Sequence, residues 1–514
     1  MKNKKDNYYF LNLDLPENKT GIENASLLRC RIFEKELGIT PNIITAKYNP
    51  RLDIQRRKMI KNCTISKDVQ VLNLYEYYQG NDFDTEESKI KLVKKNKKWT
   101  YQNIEGTYNY RVYNENGQKI IYHACDSEGR LMYNNIFHKD KKVRREYFNS
   151  NGALSKVQLL DKNSNKTIFE TYYTVQGKAC IFKHINEKNQ QAEYIQLVDA
   201  NGDIYASFDK EEQFIEYWLK SILKDEEEHY LIIDKQRVYY PFLKNWNANN
   251  IYRISCIHST HIKNGKNYME GKINRNYKSL FEDLSKPEAI VVLTEKQKEH
   301  IEQRFGVTHS LYTIPHPMEE YPDKIEMKER EINSAVYVAR FAENKQHKSA
   351  VRVFKQVVDE IPNAKLHFYG TGKNKTEIKK VVKDLNLEND IFFHGYVTNI
   401  KNIYNNAQLA ISTSSFEGFS LFILESITYG CPVVSYDINY GPNDLIDQGA
   451  NGDLVEYNDE DGMAQKIINS FKNRELLQQK SERAYRKSKQ FSSQAFARQW
   501  KILIDEITEK RSKY

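Results

Sequence analysis

The sequence lacks any apolar run of the roughly 18 to 20 residues that a membrane-spanning helix needs. Its opening stretch, MKNKKDNYYFLNLDLPENKTG, carries Asp14 where a secretory signal peptide would need an apolar core. These two absences argue against helical membrane spans and against export. We therefore expect a cytoplasmic protein.

Cysteine is also scarce and scattered. No two cysteines form a C-x-x-C pair, and no histidine stands at metal-binding spacing from one. We expect reduced, mostly buried thiols, with neither a disulfide framework nor a zinc site. The six positions are Cys30, Cys63, Cys125, Cys180, Cys256 and Cys431.

The composition is that of an ordinary globular protein. The 514 residues are 39% hydrophobic and 29% charged, and at roughly 100 to 200 residues per domain they predict two to four domains. The net charge is +9, and residues 91–150 hold thirteen Lys and Arg against six Asp and Glu. Such an excess favours a polyanionic partner, although a solvated lysine-rich surface explains it equally well.

Strand and helix patterns alternate at both ends of the chain. Strands are predicted at residues 8–15 and in NIITA, with a helix over residues 22–37 between them, and further short strands in HYLIID, RISCIH and AIVVLT. After the proline-rich segment TIPHPMEEYPDK the alternation resumes. The pattern predicts an α/β protein with two Rossmann-like halves facing a cleft, because ligands bind beyond the carboxyl ends of parallel strands.

Residues 85–210 follow a different pattern. Aromatic and β-branched segments alternate with the turn sequences NENGQ, DSEGR, NSNGA, VQGK and DANGD. This is typical of successive antiparallel hairpins, so we predict an inserted β-meander for docking or assembly. The predicted domains are 1–80 with 212–315 (the first Rossmann-like half), 81–211 (the insert), 316–490 (the second Rossmann-like half), and a helix over 491–514 returning to the N-terminal domain.

The stretch STSSFEGFSLFILESITYGCPVVSYDINYGPNDLI, residues 412–446, carries the strongest functional pattern. A strand leads through a loop with Glu417 into a helix that Ser420 is placed to cap and that ends near Gly430. Free amides and the positive end of the helix dipole attract an anion, such as a diphosphate. Glu417 would then accept hydrogen bonds from a neutral sugar, and Glu425 from a ribose.

The E-x7-E spacing, with EGFSLFILE and GCPVVSYD around it, resembles the signature of the family-4 retaining glycosyltransferases of GT-B architecture. The resemblance assigns Glu417 to the donor sugar, the amides of Ser420 and Leu421 to the phosphates, and Glu425 to the ribose. The spacing alone is weakly specific, but its strand–loop–helix context makes it strong.

Other segments agree with the resemblance. VYVARFAENKQHK places Arg340 and Lys345 where the family has paired cations, which would stabilise the leaving diphosphate without a metal. FYGTG matches the loop against the nucleotide base through Gly370 and Gly372, and NKTGIE supplies Gly21 for close approach to phosphates or acceptor.

Two histidines, His258 and His261 in SCIHSTHIKN, follow a predicted strand. The family places a histidine near the donor sugar, and His258 aligns better, although a single histidine is more often structural. The resemblance implies a front-face mechanism in which His258 and Glu417 orient the sugar. The predicted catalytic residues are thus His258, Glu417, Arg340 and Lys345.

A narrower bacterial group, which glycosylates Ser-Asp repeat adhesins or wall teichoic acid, is similar to this sequence in the insert and in the segments HSTHIKN and YDINYGPNDLI. Within that group, the resemblance to the adhesin enzymes is slightly better. The resemblance implies a UDP-sugar donor, with N-acetylglucosamine expected and glucose the alternative, no cofactor or metal, no nucleic-acid partner, oligomerisation through the insert and peripheral membrane association. Two rivals remain: a metal-dependent transferase using Asp82-Phe83-Asp84, and a non-catalytic polyanion-binding protein.

Overall fold

The structure is a computed structural model that describes residues 6–17, 21–80, 96, 98–307, 310–322, 326–397 and 399–513. The chain divides into two compact units. The first comprises Met1–Glu34 and Ile39–Tyr252, and the second comprises Lys35–Gly38 and Arg253–Tyr514. The predicted D-x-D at Asp82 to Asp84 lies outside the described residues.

The first unit contains a parallel sheet in the order β14–β1–β2–β3. Its strands are short and almost continuously apolar, as expected when helices cover a sheet on both faces. The predicted helix over 22–37 is present, but it ends at Ile32 and continues as a π-helical turn over Phe33–Leu37. The elements outside the insert are β1 Asp6–Asn12, α1 Gly21–Ile32, β2 Asn42–Thr45, α2 Leu52–Lys61, β3 Val71–Asn73, α3 Leu74–Gln79, α4 Glu211–Ile222, β14 Glu228–Ile233 and α5 Gln236–Leu243.

The insert is a ten-stranded antiparallel sheet in which every strand pairs with its sequence neighbours. The predicted turn glycines all have positive φ, and each donates its amide to the carbonyl three residues earlier, as Gly117 does to Asn114 at 3.0 Å. The predicted β-meander is therefore confirmed. Its strands are β4 Thr100–Asn103, β5 Tyr110–Tyr113, β6 Lys119–Cys125, β7 Leu131–His138, β8 Lys141–Phe148, β9 Leu154–Leu160, β10 Thr167–Tyr173, β11 Ala179–Ile185, β12 Ala192–Val198 and β13 Ile204–Phe208.

The second unit begins with three parallel strands, β15 to β17, and helix α6. A second, six-stranded parallel sheet follows in the order β20–β19–β18–β21–β22–β23. The elements are β15 Ile251–Cys256, β16 Ala289–Val292, α6 Glu295–Phe305, β17 Leu311–Thr313, β18 Glu331–Val338, α7 His347–Glu360, β19 Lys365–Tyr369, α8 Lys375–Asp384, β20 Ile391–Gly395, α9 Lys401–Asn406, β21 Ala407–Ser412, α10 Leu421–Thr428, β22 Val433–Tyr436, α11 Pro442–Leu445, β23 Gly452–Val455, α12 Glu460–Lys472, α13 Arg474–Ser488 and α14 Ser493–Ser512.

The strand order of the six-stranded parallel sheet reverses between β18 and β21, which are neighbours in space but distant in sequence. Loops that leave the carboxyl ends of such strands meet at one edge of the sheet and form the usual ligand-binding position. The loops after β18, β19 and β21 carry most of the predicted site residues. The sheet therefore explains why residues from 340 to 425 come together.

Helix α14 packs back onto residues in the 253–315 part of the second unit. Arg511 contacts Glu288 at 2.6 Å, and the hydroxyl of Tyr312 donates to Glu506 at 2.8 Å. Over the described ranges, no helix is both long and apolar enough to cross a membrane.

Candidate active site

The loop after β21 carries Glu417 and is held by main-chain hydrogen bonds on both sides. The Glu417 amide donates to the carbonyl of Asn439 at 3.1 Å, and the Tyr440 amide donates to the carbonyl of Glu417 at 2.9 Å. On the other side, the Ser415 amide donates to the carbonyl of Asn344 at 2.8 Å. These hydrogen bonds hold the loop between two neighbouring loops and fix the position of the Glu417 backbone.

Glu417 forms a short ion pair with Lys345, although the two residues are 72 positions apart. Both side chains are largely shielded, with 17% of Lys345 and 14% of Glu417 exposed. Burial opposes the charge of Lys345, but the neighbouring Glu417 and Tyr337 outweigh it and raise the pKa of Lys345 above its ordinary value. The structure therefore brings together two of the predicted catalytic residues.

Two hydroxyl groups that the sequence analysis missed hold Lys345 in place. The Tyr337 hydroxyl donates to the Lys345 carbonyl at 2.7 Å, and the Thr413 hydroxyl donates to the same oxygen at 3.1 Å. These side chains lie on β18 and just after β21, so the sheet itself fixes the turn that carries Lys345. Their sequence signal was weak, because buried hydroxyls on strands are common.

Arg340 lies just beyond β18 and is exposed. It forms no ion pair with any residue in the described part of the chain, and its charge acts on Lys345, whose pKa it tends to lower. Two cations therefore stand close together, one shielded and paired with a carboxylate, the other exposed. Such a pair can stabilise the negative charge that develops on a leaving group.

Gly370 and Gly372 allow the loop after β19 to run directly against the loop after β18. A Cβ on Gly370 would lie 2.0 Å from the Ala339 carbonyl oxygen, and one on Gly372 would lie 2.5 Å from that of Phe341. Gly370 also has φ of +144°, which other residues rarely adopt. Both glycines are thus needed for backbone packing beside Arg340, and their contact with a nucleotide base stays a prediction.

Ser420 stands at the N-cap position of α10, as predicted, but its hydroxyl does not cap the helix. Its backbone is left-handed, with φ 74° and ψ 67°, and the side chain makes no capping hydrogen bond. The predicted capping role is therefore wrong, because this geometry turns the hydroxyl away from the first-turn amides. The amides of Ser420 and Leu421 lie at the positive end of α10, where they stay the predicted phosphate ligands.

Glu425 lies on α10 and accepts a hydrogen bond from the Tyr404 hydroxyl at 3.1 Å. Burial raises the pKa of Glu425 from 4.5 to about 7, and the hydrogen bond from Tyr404 only partly offsets this rise. A perturbed carboxyl of this kind is typical of functional sites. Tyr404 is a third residue that the sequence analysis missed, after Tyr337 and Thr413.

His258 and His261 differ sharply in their surroundings. His261 is fully buried, stacks against Phe281 and Tyr440, and has its pKa lowered to about 3 by burial and by the nearby charge of His300. His258 is only half-buried and stacks against His316, with ring centroids 5.9 Å apart. His261 is thus a core residue, and His258 is the better placed to meet a substrate.

Gly418 connects the His258 strand end to the Glu417 loop. A Cβ on Gly418 would lie 2.3 Å from the His258 carbonyl oxygen, so only glycine lets the two backbones approach this closely. Gly418 is the fourth residue that the sequence analysis missed, and it brings His258 beside Glu417. Its position immediately after Glu417, in a loop before a helix, was the available sequence signal.

Gly21 is the one predicted site residue that lies in the first unit. It is exposed at the start of α1, and a Cβ there would meet no atom within 4 Å. The backbone therefore does not itself require glycine at this position. A contact between Gly21 and phosphates or acceptor stays a prediction.

The fold and the matches that follow define the class: the chain has the GT-B fold and contains a glycosyltransferase group 1 domain. Residues 319–487 match the family described as glycosyl transferases group 1. Two solved structures support the fold. They are a mutant of Staphylococcus aureus TarM in complex with Fondaparinux, alpha-GlcNAc-glycerol and UDP (TM-score 0.82, 24% identity, 97% of this chain and 99% of that one) and the pneumococcal O-GlcNAc transferase GtfA with UDP and GlcNAc (TM-score 0.81, 19% identity, 98% and 99%).

Three curated relatives are similar over almost the whole chain. Bacillus subtilis poly(glycerol-phosphate) alpha-glucosyltransferase is 27% identical and is matched over 98% of this chain and 76% of its own length. Staphylococcus aureus poly(ribitol-phosphate) alpha-N-acetylglucosaminyltransferase is 25% identical, over 96% and 98%. The GtfA subunit of a Streptococcus parasanguinis UDP-N-acetylglucosamine–peptide N-acetylglucosaminyltransferase is 22% identical, over 97% and 99%. This chain thus resembles transferases that act on two kinds of acceptor.

Proposed function

We propose that the protein transfers a hexose from a UDP-sugar to hydroxyl groups of an anionic cell-envelope polymer, with retention of configuration and without a metal. The observation that carries the proposal is the shielded Lys345–Glu417 pair beside Arg340. It places cations for a diphosphate and a carboxylate for sugar hydroxyls at the same edge of one sheet. The names of the relatives supply the sugar and acceptor classes.

In this proposal the donor diphosphate lies between Arg340, Lys345 and the amides at the start of α10. Breaking the glycosidic bond moves negative charge onto the diphosphate, and fixed cations stabilise that charge more than the charge of the intact donor. Glu417 accepts hydrogen bonds from the sugar, since a carboxylate has room for more than one donor. Glu425 accepts hydrogen bonds from the ribose when it is ionised.

The names of two relatives support retention of configuration. Two of them form alpha products, and the common UDP-hexoses are themselves alpha-linked, so the configuration is preserved. In the front-face mechanism the acceptor hydroxyl attacks on the side from which the diphosphate departs. The new bond forms between the acceptor oxygen and the anomeric carbon as the bond to the phosphate breaks, and the departing phosphate oxygen takes the hydroxyl proton. His258 and Glu417 hold the sugar in position.

Two acceptors fit the proposal. A Ser-Asp repeat protein is supported by the peptide-modifying relative at 22% identity, and a polyol-phosphate such as wall teichoic acid by the relatives at 27% and 25%. The expected sugar is N-acetylglucosamine, with glucose as the alternative. We also propose a cytoplasmic enzyme that forms oligomers through its inserted sheet and associates peripherally with the membrane.

The test measures UDP release from UDP-N-acetylglucosamine and UDP-glucose, each with a Ser-Asp repeat peptide and with a purified polyol-phosphate. Each reaction is run with and without EDTA, beside Glu417→Ala. We expect turnover in at least one pairing, unaffected by EDTA and abolished in Glu417→Ala. Turnover that needs manganese would overturn the metal-free mechanism, and no turnover in any pairing would favour the non-catalytic polyanion-binding alternative.

A further inference from the structure

A cluster of exposed cations lies between the first sheet of the second unit and the Glu417 loop. Residues 263–278, called here the basic segment, contain one acidic residue, Glu270. No cation of this segment pairs with a carboxylate anywhere in the described ranges of the chain. All five are exposed: Lys263, Lys266, Lys272, Arg275 and Lys278. Unpaired, solvated cations at this density form a local positive field.

The basic segment touches the candidate active site directly. A Cβ on Gly265 would lie 2.6 Å from Cβ of Phe416, the residue before Glu417. The Asn439 side chain donates to the Gly265 carbonyl at 3.2 Å, while the Asn439 carbonyl accepts the amide of Glu417 at 3.1 Å. Asn439 thus connects the basic segment to the proposed sugar-binding carboxylate. The positive field therefore borders the place where the acceptor hydroxyl must arrive.

The main chain of the basic segment is already hydrogen-bonded within the fold. The Lys263 amide donates to the Lys272 carbonyl at 2.8 Å, and the Gly271 amide donates to the Asn267 carbonyl at 2.7 Å. Arg304 donates to the carbonyls of Tyr268 and Gly271, each at 2.8 Å. The segment therefore presents charged side chains on a fixed backbone. An extended peptide that binds by adding a strand needs free main-chain groups on the protein. In the basic segment these main-chain groups are already hydrogen-bonded within the fold.

We propose that the basic segment binds the phosphodiester groups of a polyol-phosphate acceptor and holds its next hydroxyl beside the anomeric carbon. This inference rests on the proposed function and assigns the acceptor class and the surface that recognises it. A phosphodiester chain carries one negative charge per repeat, and lysine ammonium groups bind phosphates as point charges without a fixed fork geometry. Four of the five cations are lysines, which suits a flexible chain sliding past the site.

The experiment compares two double variants that remove the same charge. Lys263→Ala with Lys272→Ala alters the basic segment, and Lys380→Ala with Lys383→Ala alters exposed lysines of α8. We measure KM for poly(glycerol phosphate), KM for the UDP-sugar, and kcat at low and high salt. Losing two screened contacts should raise KM for the polymer about tenfold at low salt, with a smaller effect at high salt. The α8 variant should keep the wild-type KM for the polymer, and neither double variant should change KM for the UDP-sugar.

Equal KM values for the polymer in both variants would overturn the inference. So would a wild type that glycosylates only the Ser-Asp peptide, with a KM that rises in the basic-segment variant, because the surface would then serve a carboxylate acceptor. A wild type that releases no UDP contradicts the proposed function instead. In that case, direct binding of poly(glycerol phosphate) to the protein without donor decides the inference. The basic-segment variant should bind the polymer about tenfold more weakly than the wild type, and the α8 variant should bind it as the wild type does.

Discussion

The inserted sheet and the candidate active site each contain a lysine paired with a glutamate beside a tyrosine; the Lys156 side chain in the sheet is 9% exposed, and the Lys345 side chain in the site is 17% exposed. In the sheet, Glu170 on β10 accepts from Lys156 at 3.1 Å, from Gln158 at 2.6 Å and from Tyr172 at 2.5 Å. Lys156 also lies over three tyrosine rings, 4.6 Å from the centroid of Tyr48. The Lys156–Glu170 pair therefore has hydrogen-bond and ring partners on all sides, and it is called here the saturated pair.

The pair in the candidate active site is not saturated. Lys345 is the side-chain donor that the structure gives Glu417 among the described residues, and both residues lie on loops. A carboxylate has about four lone-pair positions, so Glu417 retains acceptor capacity for ligand hydroxyls. The comparison shows that the same kind of ion pair has its hydrogen-bonding capacity filled when strands surround it with partners, and keeps capacity that a ligand can use when it lies on loops.

The largest expected effect is on the stability of the saturated pair. Glu170→Ala leaves the Lys156 ammonium buried without its carboxylate, which costs about 3 to 5 kcal/mol of unfolding free energy. Replacing both residues, Lys156→Met with Glu170→Leu, should restore most of the loss. Chemical denaturation checks this, with Glu146→Ala, whose partner Arg144 is exposed, as the matched control. Equal losses for Glu170→Ala and Glu146→Ala would contradict the saturated-pair interpretation.

The Lys345–Glu417 pair, called here the open pair, should show the opposite behaviour, with a large loss of activity and a small loss of stability. Glu417→Gln keeps the shape of the side chain but removes the charge, so we expect kcat/KM to fall about 100- to 1,000-fold. The melting temperature should change little, because the loop keeps its main-chain hydrogen bonds. Glu170→Gln serves as the comparison, with lost stability and near-normal kcat/KM in the surviving folded protein. A large loss of stability in Glu417→Gln would remove the distinction between the two pairs.

Loop positions can be disturbed without touching either ion pair. Gly418→Ala pushes a methyl group against the His258 carbonyl and shifts Glu417 relative to His258, which we expect to lower kcat/KM about 100-fold. Gly21→Ala, where the methyl has space, should leave stability unchanged and tests whether a phosphate approaches that backbone. Steady-state kinetics with both substrates measures each effect. Normal activity in Gly418→Ala would show that the close approach is not needed for catalysis.

The smallest expected effect is a pH dependence through Glu425. Because burial raises its pKa to about 7, the carboxyl is protonated below that pH and ionised above it. The ionised form accepts hydrogen bonds from ribose better, so KM for the UDP-sugar should fall by about tenfold between pH 6 and 8. The folded chain binds the proton more tightly than the unfolded chain, so stability should decrease as pH rises from about 4.5 to 7.

The Glu425→Gln variant provides the control for this dependence. Both pH trends should flatten, because the amide does not titrate. A persistent change in KM around pH 7 would assign the titration to another group.

The α/β class and the inserted meander were predictable from the sequence, and so was the clustering of the predicted site residues that follow β18, β19 and β21. Hairpin glycines such as Gly129 and Gly202 mark the turns locally, and short apolar strands mark a covered parallel sheet. The positions of Lys345, Glu417 and Glu425 followed from motif spacing. Less predictable were the capping geometry of Ser420, which depends on a left-handed backbone, and the supporting roles of Tyr337, Tyr404 and Gly418, which depend on residues far away in sequence.

The sequence by itself determined the elements and the chemical groups, because turn residues, apolar periodicity and motif spacing act over a few neighbouring residues. Only the tertiary structure decided that Lys345 pairs with Glu417, that His261 is buried while His258 is partly open, and that the basic segment borders the Glu417 loop. These outcomes depend on contacts between loops that follow distant strands of two different sheets. Burial and charge pairing arise only there, and they set which groups can bind a ligand.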